Sequence, residues 1–514
     1  MEFTTNAAGR KVPTELAERK LRPYEGKLAE PIYPTLQKKV KMWQGENKVI
    51  GSLEEAIKRV GLKDGMTVSF HHCLRNGDDV INMVMQTIAN MGIKNLRFAS
   101  TAVFPKQEPL VELMKSGVIT RIEGSMNGPV GAEASKGTLK APAILRTHGG
   151  RSRAIETGEL KIDVAFLAAS QADEHGNFTG IVGKSAFGPM GFAFADAWYA
   201  DKVVVVTDNL VPYPSLPISI QESYTDYVVT VDSIGSPEGI ASGTTKVTDD
   251  PDRLRIAEQV VDIIELSGLL KDGFSFQAGA GGTSLAVVKF LHERMREKSI
   301  TGSFAVGGVT KLVTDMLHDG TIKAIIDAQA FDIDAVNSLR EDTKHVEVSH
   351  YHLMNPHTRS CVVNHQDVCF LGATEVDVNF NVNVNTHSNG LLLHGTGGHS
   401  DAASGSSICF IVAPVYRKKN PIIRDEVTTI TTPGNDIDVI VTDSGIAINP
   451  KRQDLIDKVK DSSLPMKKIE ELRDMAYEAT GGPQPLELTE DIIALIEYRD
   501  GTILDTVWKV KDGE

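Results

Sequence analysis

The feature that most constrains the fold of this chain is an internal repeat. Residues 62–65 and 270–273 both read Leu-Lys-Asp-Gly, and each copy is followed by an apolar run, a Gly-containing turn and a segment of helical character. A second pair of similar segments, 162–177 and 376–390, follows in the same order along the chain. Two similarities in the same order indicate a duplicated unit rather than chance.

The segments around these repeats predict the architecture of each unit. Short β-branched runs such as 66–70 and 203–207 alternate with longer amphipathic stretches, as in strands joined by crossover helices. The runs have no polar alternation, which is typical of parallel strands covered on both faces. The sequence therefore predicts an α/β fold of two duplicated, open, mostly parallel-sheet domains. They span 48–245 and 246–514, with the boundary in the Gly- and Ser-containing stretch 233–250.

The two ends of the chain are less informative. Residues 1–47 are polar, charged and interrupted by prolines, so they have little apolar surface of their own to bury. They either pack as an arm on another domain or subunit or form a poorly ordered tail, and both interpretations stay open. Near the other end, a Gly-Gly-Pro break at 481–483 precedes a strand-like segment at 506–510, which we expect to be structural.

Composition argues against several classes of protein. The 514 residues carry 54 Lys and Arg against 68 Asp and Glu, a net charge of −14, which disfavours binding to nucleic acid or to an anionic membrane surface. The four cysteines show no CxxC spacing, and no apolar run approaches the roughly 20 residues that span a bilayer. We therefore expect a soluble cytoplasmic protein in which an anionic ligand needs a local basic pocket.

Three Gly-containing turns could bring the backbone close to such a ligand. They lie at 75–77, 279–284 and 394–400, and the second sits between a predicted strand and a predicted helix, where N–H groups favour an anion. The spacing of 279–284 matches neither the dinucleotide-binding pattern nor the P-loop pattern. The turns together predict a shared anion site, although a single such turn is commonly just a tight turn.

Basic residues concentrate at 146–153, which contains three arginines and one histidine. Arginine presents a planar fork suited to carboxylates, so contact with a ligand is one interpretation of this segment. The other is a solvated loop that pairs with Glu156 and Glu159. Three further residues that could face the same ligand follow the first predicted strand, namely His71, His72 and Arg75.

A second group of histidines lies between 345 and 365, where His350 and His352 are two residues apart. Zinc sites usually add close-spaced acidic or Cys ligands, and no HExxH pattern occurs, so we interpret these histidines as structural and predict no metal site. Glu375 opens a predicted strand, and it is either a catalytic carboxylate or a buried hydrogen-bonding residue.

Several of these segments together resemble the α subunit of bacterial citrate lyase, a family within the coenzyme A transferase superfamily. The resemblance runs nearly end to end, and its most specific parts are residues 6–13 and the His-Tyr-His segment 346–352. The Gly-rich turns and the Asp-x-x-Gly-Asn element at 173–177 are shared with coenzyme A transferases generally. The remaining matching segments are 70–77, 148–151, 372–385 and 394–401.

The resemblance implies coenzyme A transferase-like (NagB/RpiA-like) domains with the acyl site between them. It also implies that citrate replaces acetate on the thiol of a phosphopantetheine-type arm carried by an acyl carrier (γ) subunit, for which free coenzyme A can substitute. A citryl lyase (β) subunit would then cleave the product, in an oligomeric complex that serves bacterial citrate fermentation. The resemblance implies no tightly bound cofactor of the chain's own, no nucleic acid and no membrane.

On that basis we assign roles to the candidate residues. The catalytic candidates are Gly281, Gly282, Gly397 and Gly398, whose N–H groups would stabilise oxyanions, together with Glu375. The substrate-binding candidates are His71, His72, Arg75, Asn76, His148, Arg151 and Arg153. The candidates for binding coenzyme A or pantetheine are Gly279, Thr283, His394, Gly395 and Thr396.

One departure from the wider superfamily bears on the mechanism. Many coenzyme A transferases have a nucleophilic Glu after the strand that follows the first helix of the second domain, whereas residues 303–308 of this chain read Ser-Phe-Ala-Val-Gly-Gly. We therefore expect a ternary complex without a covalent Glu thioester. In it, a citrate carboxylate attacks the acetyl thioester, and the released thiolate attacks the resulting mixed anhydride.

Three alternatives stay open. The chain could be a coenzyme A transferase for another carboxylic acid, a sugar-phosphate isomerase or ligand-sensing module on the same fold, or a non-catalytic scaffold subunit. Turnover with a defined acid separates the first of these from the others, and binding without turnover indicates the last.

Overall fold

Two large β-sheets organise the computed structural model, which describes residues 2–17, 19–27, 29, 47–241, 246–279 and 281–511. The first sheet has seven parallel strands, in the order Ile119–Ile122, Leu96–Ser100, Thr67–Phe70, Val164–Ala169, Lys202–Thr207, Tyr227–Thr230 and Val49–Ile50. The second has eight, in the order His345–Glu347, Ile322–Ala330, Gly302–Val309, Ser275–Ala278, Val368–Leu371, Ile408–Val412, Val439–Thr442 and Gly445–Ile448. Only the last of these eight runs antiparallel to its neighbour. The predicted α/β class with two duplicated, mostly parallel sheets is confirmed.

Helices connect the strands of each half. Those of the first half are Leu53–Val60, Val80–Asn90, Leu110–Lys115, Pro129–Ser135, His148–Glu156 and Ala193–Tyr199. Those of the second half are Pro251–Ser267, Gly282–Glu297, Lys311–His318, Ile333–Glu341, His350–Met354, His399–Gly405, Gln453–Val459 and Ile469–Thr480. Among the helices of the described ranges, none is long and apolar enough to cross a membrane.

The aspartate of the Leu-Lys-Asp-Gly motif accepts an equivalent backbone hydrogen bond in both halves. The carboxylate of Asp64 accepts a hydrogen bond from the N–H of Lys94 at 2.8 Å, and the carboxylate of Asp272 accepts one from the N–H of Thr301 at 2.9 Å. In each case the bonded residue lies just before the strand that pairs with the central strand. The aspartate of each motif therefore fixes the residues at which the next strand begins, and this shared role explains why the motif recurs.

The second similarity also occurs in the structure, in a register that differs from the predicted one. The carboxylate of Asp163 accepts a hydrogen bond from the N–H of Thr67 at 2.8 Å, and Asp367 accepts one from the N–H of Ser275 at the same distance. Asp163 therefore corresponds to Asp367, which lies before the segment 376–390 used in the sequence comparison. Equal bonds at equal places establish the two central strands as equivalent.

The two ends of the chain meet on a third sheet. Its four strands are, in order, Ala143–Leu145, Leu488–Glu497, Thr502–Val510 and Arg22–Pro23. The side-chain amide of Asn6 donates to the carbonyl groups of Ile503 and Leu504. The described part of the segment 1–47 therefore lies on the C-terminal hairpin, and residues 30–46 lie outside the described residues.

Short strands complete the fold, and one continuous apolar core links the halves. Buried phenylalanines on the central strands form aromatic rows within it, as between Phe70 and Phe166 (5.8 Å) and between Phe276 and Phe370 (6.4 Å). The short strands are Phe3–Thr5, Lys11–Pro13, Glu15–Leu16, Arg19–Lys20, Ala102–Val103, Ser125–Met126, Gln171–Asp173, Phe178–Thr179, Leu210–Val211, Glu375–Asp377, Val382–Asn383, Tyr416–Arg417, Asn420–Pro421 and Ile423–Arg424.

Candidate active site

The two halves face each other across a cleft of about 610 Å³. Much of its lining comes from the carboxyl ends of the parallel strands, where open α/β sheets usually bind ligands. The first half contributes His72, Arg75, Ala102, Phe104, Ser125, Asn127 and His148. The second half contributes residues 277–279, 307–308, Gln329, Phe331, His350, Met354, 371–374, Val384 and 394–399.

The charge of this lining is small and positive. Of the described residues that line the cleft, Arg75 alone has a permanent charge, five are histidines and none is acidic. The Arg75 guanidinium lies over the ring of Phe331 at 4.3 Å and near that of Phe104 at 5.6 Å. Burial lowers the pKa of Arg75 to about 10, so the side chain stays protonated at neutral pH. The cleft is therefore suited to an anion.

Three of these histidines pack around one phenylalanine and form what we term the histidine cluster (His72, His148 and His350). The Phe192 ring lies 3.9 Å from His350, 4.2 Å from His72 and 4.7 Å from His148, between ring centres. His72 Nδ1 lies 2.6 Å from the hydroxyl of Thr101. Neither ring nitrogen of His350 has a hydrogen-bond partner among the described residues. The cluster therefore combines one anchored ring with one that is buried and unpartnered.

The histidine cluster is uncharged when no ligand is bound. Burial, with the nearby Arg151 charge as a second cause, lowers the pKa of His148 to about 3. Burial is also the main cause that holds the pKa values of His72 and His350 well below their usual range. At neutral pH the three rings therefore act as polar but neutral groups.

The Gly-rich loop at 394–400 connects the halves. The N–H of Gly395 donates to the hydroxyl of Ser125 at 2.8 Å, and the N–H of His148 donates to the carbonyl of Gly397 at 2.9 Å. His399 is held on both ring nitrogens, by the carbonyl of Gly372 and the hydroxyl of a threonine. Burial lowers the pKa of His399 to about 4. The predicted residues His394, Gly395, Thr396, Gly397 and Gly398 thus all reach the cleft.

Three residues predicted to bind substrate lie inside the first half instead. The Arg151 guanidinium donates to both carboxylate oxygens of Asp196 at 2.7 Å. Arg153 is almost fully buried and lies 2.5 Å from the carboxylate of Glu159. His71 Nε2 lies 2.9 Å from a backbone carbonyl, and burial lowers its pKa to about 4. Since none of the three lines the cleft, His148 is the part of the basic segment that reaches it.

Glu375 and Asn76 also lie apart from the cleft lining. Glu375 is fully buried in an ion pair with Arg424 and accepts hydrogen bonds from the amide of Asn383 (2.9 Å) and the N–H of Thr428 (2.7 Å). Glu375 is therefore a buried, hydrogen-bonded residue, and its catalytic role stays a prediction. Asn76 is exposed, and its side chain accepts a hydrogen bond from a backbone N–H.

Of the described residues in the Gly-rich turn of the second half, one reaches the cleft. Gly279 lines the cleft, whereas Gly281, Gly282 and Thr283 lie at the start of helix Gly282–Glu297 and do not. Within the described ranges, no group of three His, Cys, Asp or Glu side chains could hold a metal ion.

Gln277, Gln329, Phe331 and His350 are among the cleft-lining residues that sequence reasoning missed. Two signals could have found some of them. Gln277 occupies the position in the second repeat that Ser69 occupies in the first. The change from a small to a long polar side chain could have indicated a different role for this position. His350 was noted in the sequence but interpreted as structural, because histidine spacing does not show which rings lack a partner.

The fold and the cleft define the class of protein. A malonate decarboxylase alpha subunit from Acinetobacter baumannii superimposes with a TM-score of 0.62 at 15% identity, covering 85% of this chain and 91% of that one. At this identity the likeness concerns the fold alone. It places the chain among proteins of the coenzyme A transferase-like fold.

Closer relatives give the particular family. Residues 46–510 match the family model described as citrate lyase, alpha subunit (CitF). The citrate lyase alpha chain of Haemophilus influenzae is 45% identical over 468 residues, which is 91% of this chain and 94% of that one. A Streptococcus mutans protein described as the alfa subunit of citrate lyase in complex with citrate superimposes with a TM-score of 0.95 at 44% identity, covering 99% of this chain and 100% of that one. This chain belongs to the citrate lyase alpha subunit family.

Proposed function

We propose that this chain exchanges acetate for citrate on a thioester. Acetyl-carrier and citrate give citryl-carrier and acetate, and acetyl-coenzyme A reacts in the same way. The observation that carries this proposal is the cleft itself, whose described lining residues offer an anion one arginine and several neutral donors and include no carboxylate. The citrate named in the Streptococcus mutans relative supports the choice of acid.

We propose a ternary complex rather than a covalent enzyme thioester. A citrate carboxylate attacks the acetyl carbonyl, the C–S bond breaks and a mixed anhydride forms. The released thiolate then attacks the citryl carbonyl, and acetate leaves. Because a carboxylate is a poor nucleophile, holding the two substrates in line is the main demand, and positioning of this kind can contribute roughly 7–11 kcal/mol.

The surroundings of the strand Gly302–Val309 support the absence of a nucleophilic Glu. A Cβ atom on Gly308 would lie 1.9 Å from the ring of Phe331, and one on Gly307 would lie 2.9 Å from the side chain of Gln277. Gly307 also has a φ of 115°, which disfavours any side chain. A glutamate at either position would therefore displace the residues that shape the cleft.

The loop that ends at Gly398 supplies the candidate oxyanion donors. Gly398 lines the cleft and donates its N–H to no acceptor among the described residues, whereas Gly397 forms a backbone bridge with Thr147. Each preorganised N–H at a developing oxyanion is worth about 2.7–4 kcal/mol in comparable sites. The predicted pair Gly281 and Gly282 lies farther along its turn, so we assign this role to the loop that ends at Gly398, with Gly398 as the N–H donor.

A second cavity, of about 1220 Å³, adjoins the cleft at Thr374. It is lined by Arg417, Lys418 and Arg424, and the first two form no ion pair within the described part of the chain. Phosphate groups favour such cations. We propose that the thioester arm of coenzyme A or of the acyl carrier subunit enters here, with its phosphates on Arg417 and Lys418. The carrier and a citryl lyase subunit would be partners in a cytoplasmic complex.

A transferase assay on the purified full chain tests the proposal. Acetyl-coenzyme A and citrate should release acetate and form citryl-coenzyme A, with succinate and malate as poor substitutes, as followed by mass spectrometry. Acetyl-pantetheine, which lacks the nucleotide phosphates, should show a higher KM at a similar kcat if the second cavity binds those phosphates. Acetylated carrier subunit is the second substrate to test. Absence of turnover with either donor would exclude a transferase function.

A further inference from the structure

The charge of the cleft does not match the charge of the proposed substrate. Fully ionised citrate carries three carboxylates, whereas Arg75 is the one permanent cation among the described residues of the lining. Arg151 lies close by, but Asp196 already neutralises it at 2.7 Å. Burying a polyanion against a single cation is unfavourable because the remaining charge loses its hydration. A second positive charge therefore has to come from a group that is neutral in the empty cleft.

His350 is the group best placed to supply that charge. Its side chain lines the cleft and is about 5% exposed, and both ring nitrogens lack a partner within the described ranges. A buried imidazole without any hydrogen bond is costly, so such a ring indicates a ligand that completes it. His399, by contrast, has both nitrogens occupied and no place for another proton.

The backbone around His350 fixes the ring between the two halves. The backbone N–H of His350 donates to the carbonyl of Gly191 in the first half at 2.8 Å. The short helix His350–Met354 is capped by the side chain of Ser349. The ring stacks on Phe192 at 3.9 Å and contacts His148 at 4.9 Å. These contacts hold the ring in place before any ligand arrives.

We propose that His350, with His148 beside it, takes up one proton from solvent when citrate enters the cleft, and that the imidazolium then binds a citrate carboxylate. This inference rests on the proposed function. The proton forms an N–H bond on the imidazole, and no other covalent bond changes. Without citrate, burial and neighbouring positive charges keep the ring neutral, and with citrate the field at the ring reverses sign.

Other charged groups near His350 do not replace this role. The titratable groups on the elements packed against it are His148, Arg151, Arg153 and Glu156 in helix His148–Glu156, Asp196 and Tyr199 in helix Ala193–Tyr199, His71, His72, Cys73 and Arg75 in the loop after Thr67–Phe70, His365 in residues 362–365, and Glu347 in the preceding strand. The acidic members are bonded elsewhere, as Asp196 is to Arg151, Glu156 to Tyr351 and Glu347 to the N–H of Met190.

Proton uptake on citrate binding can be measured directly. Citrate is added to the full chain in weak buffer, at a pH where citrate is fully ionised, and the acid needed to hold the pH constant is recorded. We expect about one proton per site, and linkage then requires the KM for citrate to rise up to about tenfold per pH unit while kcat changes little. Citrate turnover without proton uptake would overturn the inference, whereas absence of citrate binding and turnover would instead contradict the proposed function.

Variants locate the proton. His350→Gln should abolish the uptake, flatten the pH profile of the KM and raise that KM about ten- to hundredfold, as expected for a charged hydrogen bond. His148→Gln should reduce the uptake as well. His292→Gln, at a ring paired with Asp319 outside the cleft, is the matched control and should leave the uptake unchanged. Retained uptake in a folded His350→Gln protein would assign the proton to another group and overturn the inference.

Discussion

The central strands of the two sheets, Thr67–Phe70 and Ser275–Ala278, are equivalent in the scaffold but end in different surroundings. Ser69 in the first strand is fully buried and bonds the Arg151 guanidinium at 3.0 Å. Gln277, at the same position in the second strand, lines the cleft instead. The end of the central strand is therefore covered by other side chains in the first half and borders the cleft in the second half.

This difference explains how a duplicated fold can have a single site. In the first half, the ion pair between Arg151 and Asp196 fills the space beyond the strand end. In the second half, glycines at 279, 307 and 308 add no side chain of their own at the corresponding place, and the cleft lies there. The aspartates that hold the strand entries are the same in both halves, so the duplicated unit has kept its scaffold and diverged where it meets the cleft.

Loss of the ion pair between Arg151 and Asp196 should have the largest effect on stability. Arg151→Met leaves the buried Asp196 carboxylate without a cation and with the Ser69 hydroxyl as its remaining partner, which should cost about 3–5 kcal/mol of stability. The measurement is urea denaturation of the full chain followed by circular dichroism. The substitution at the open position, Gln277→Met, should change stability by less than about 1 kcal/mol, because this side chain borders the cleft.

The same pair of variants separates stability from substrate binding. Arg151→Met should not raise the KM for citrate in the protein that remains folded, because the side chain does not line the cleft and because loss of its charge makes His148 and His350 easier to protonate. Asp196→Asn in the same chain should recover much of the lost stability, since it removes the unpaired charge. A raised KM at unchanged stability would instead return Arg151 to the substrate clamp predicted from the sequence.

The sequence predicted the scaffold better than the site, for physical reasons. Apolar runs and the repeated aspartates are local signals, so the strands and the duplication could be found. The pairing of Arg151 with Asp196 joins residues far apart in the chain, and a basic segment alone does not reveal it. Likewise, the sequence around Glu375 predicted a candidate catalytic carboxylate, because it does not reveal that Arg424, on another strand, pairs with Glu375. Gln329 and Phe331 carried no motif at all.

The second-largest effect on stability should come from Glu347, a buried carboxyl group at the contact between the two halves. Glu347 of the second half accepts a hydrogen bond from the N–H of Met190 in the first at 2.6 Å, and burial raises the pKa of Glu347 to about 7. The unfolded chain loses this proton near pH 4.3, whereas the folded chain keeps it until about pH 7. Stability should therefore fall by about 4 kcal/mol as pH rises between those values and then level off.

Comparing Glu347→Gln with the parent chain isolates this contribution, because other buried carboxyls titrate equally in both. Denaturation midpoints at about pH 5 and about pH 8 should differ less in the variant than in the parent. Glu341→Gln, at an exposed carboxylate on the same half, is the control and should behave like the parent. An unchanged pH dependence in Glu347→Gln would show that this carboxyl is ionised in the folded protein.

The smallest expected effect tests the equivalence of the halves itself. Asp163→Asn and Asp367→Asn each weaken a charge-assisted hydrogen bond to a strand N–H, so each should cost about 1–2 kcal/mol in urea denaturation. The two costs should agree, because each aspartate also has one further partner at about the same distance, Lys161 at 2.9 Å and the hydroxyl of Ser275 at 3.0 Å. Asp491→Asn, at an exposed strand position, controls for the lost charge and should change little. Costs that differ by more than about 1 kcal/mol would mean that one half depends on its strand entry more than the other, and the scaffold would then have diverged along with the cleft.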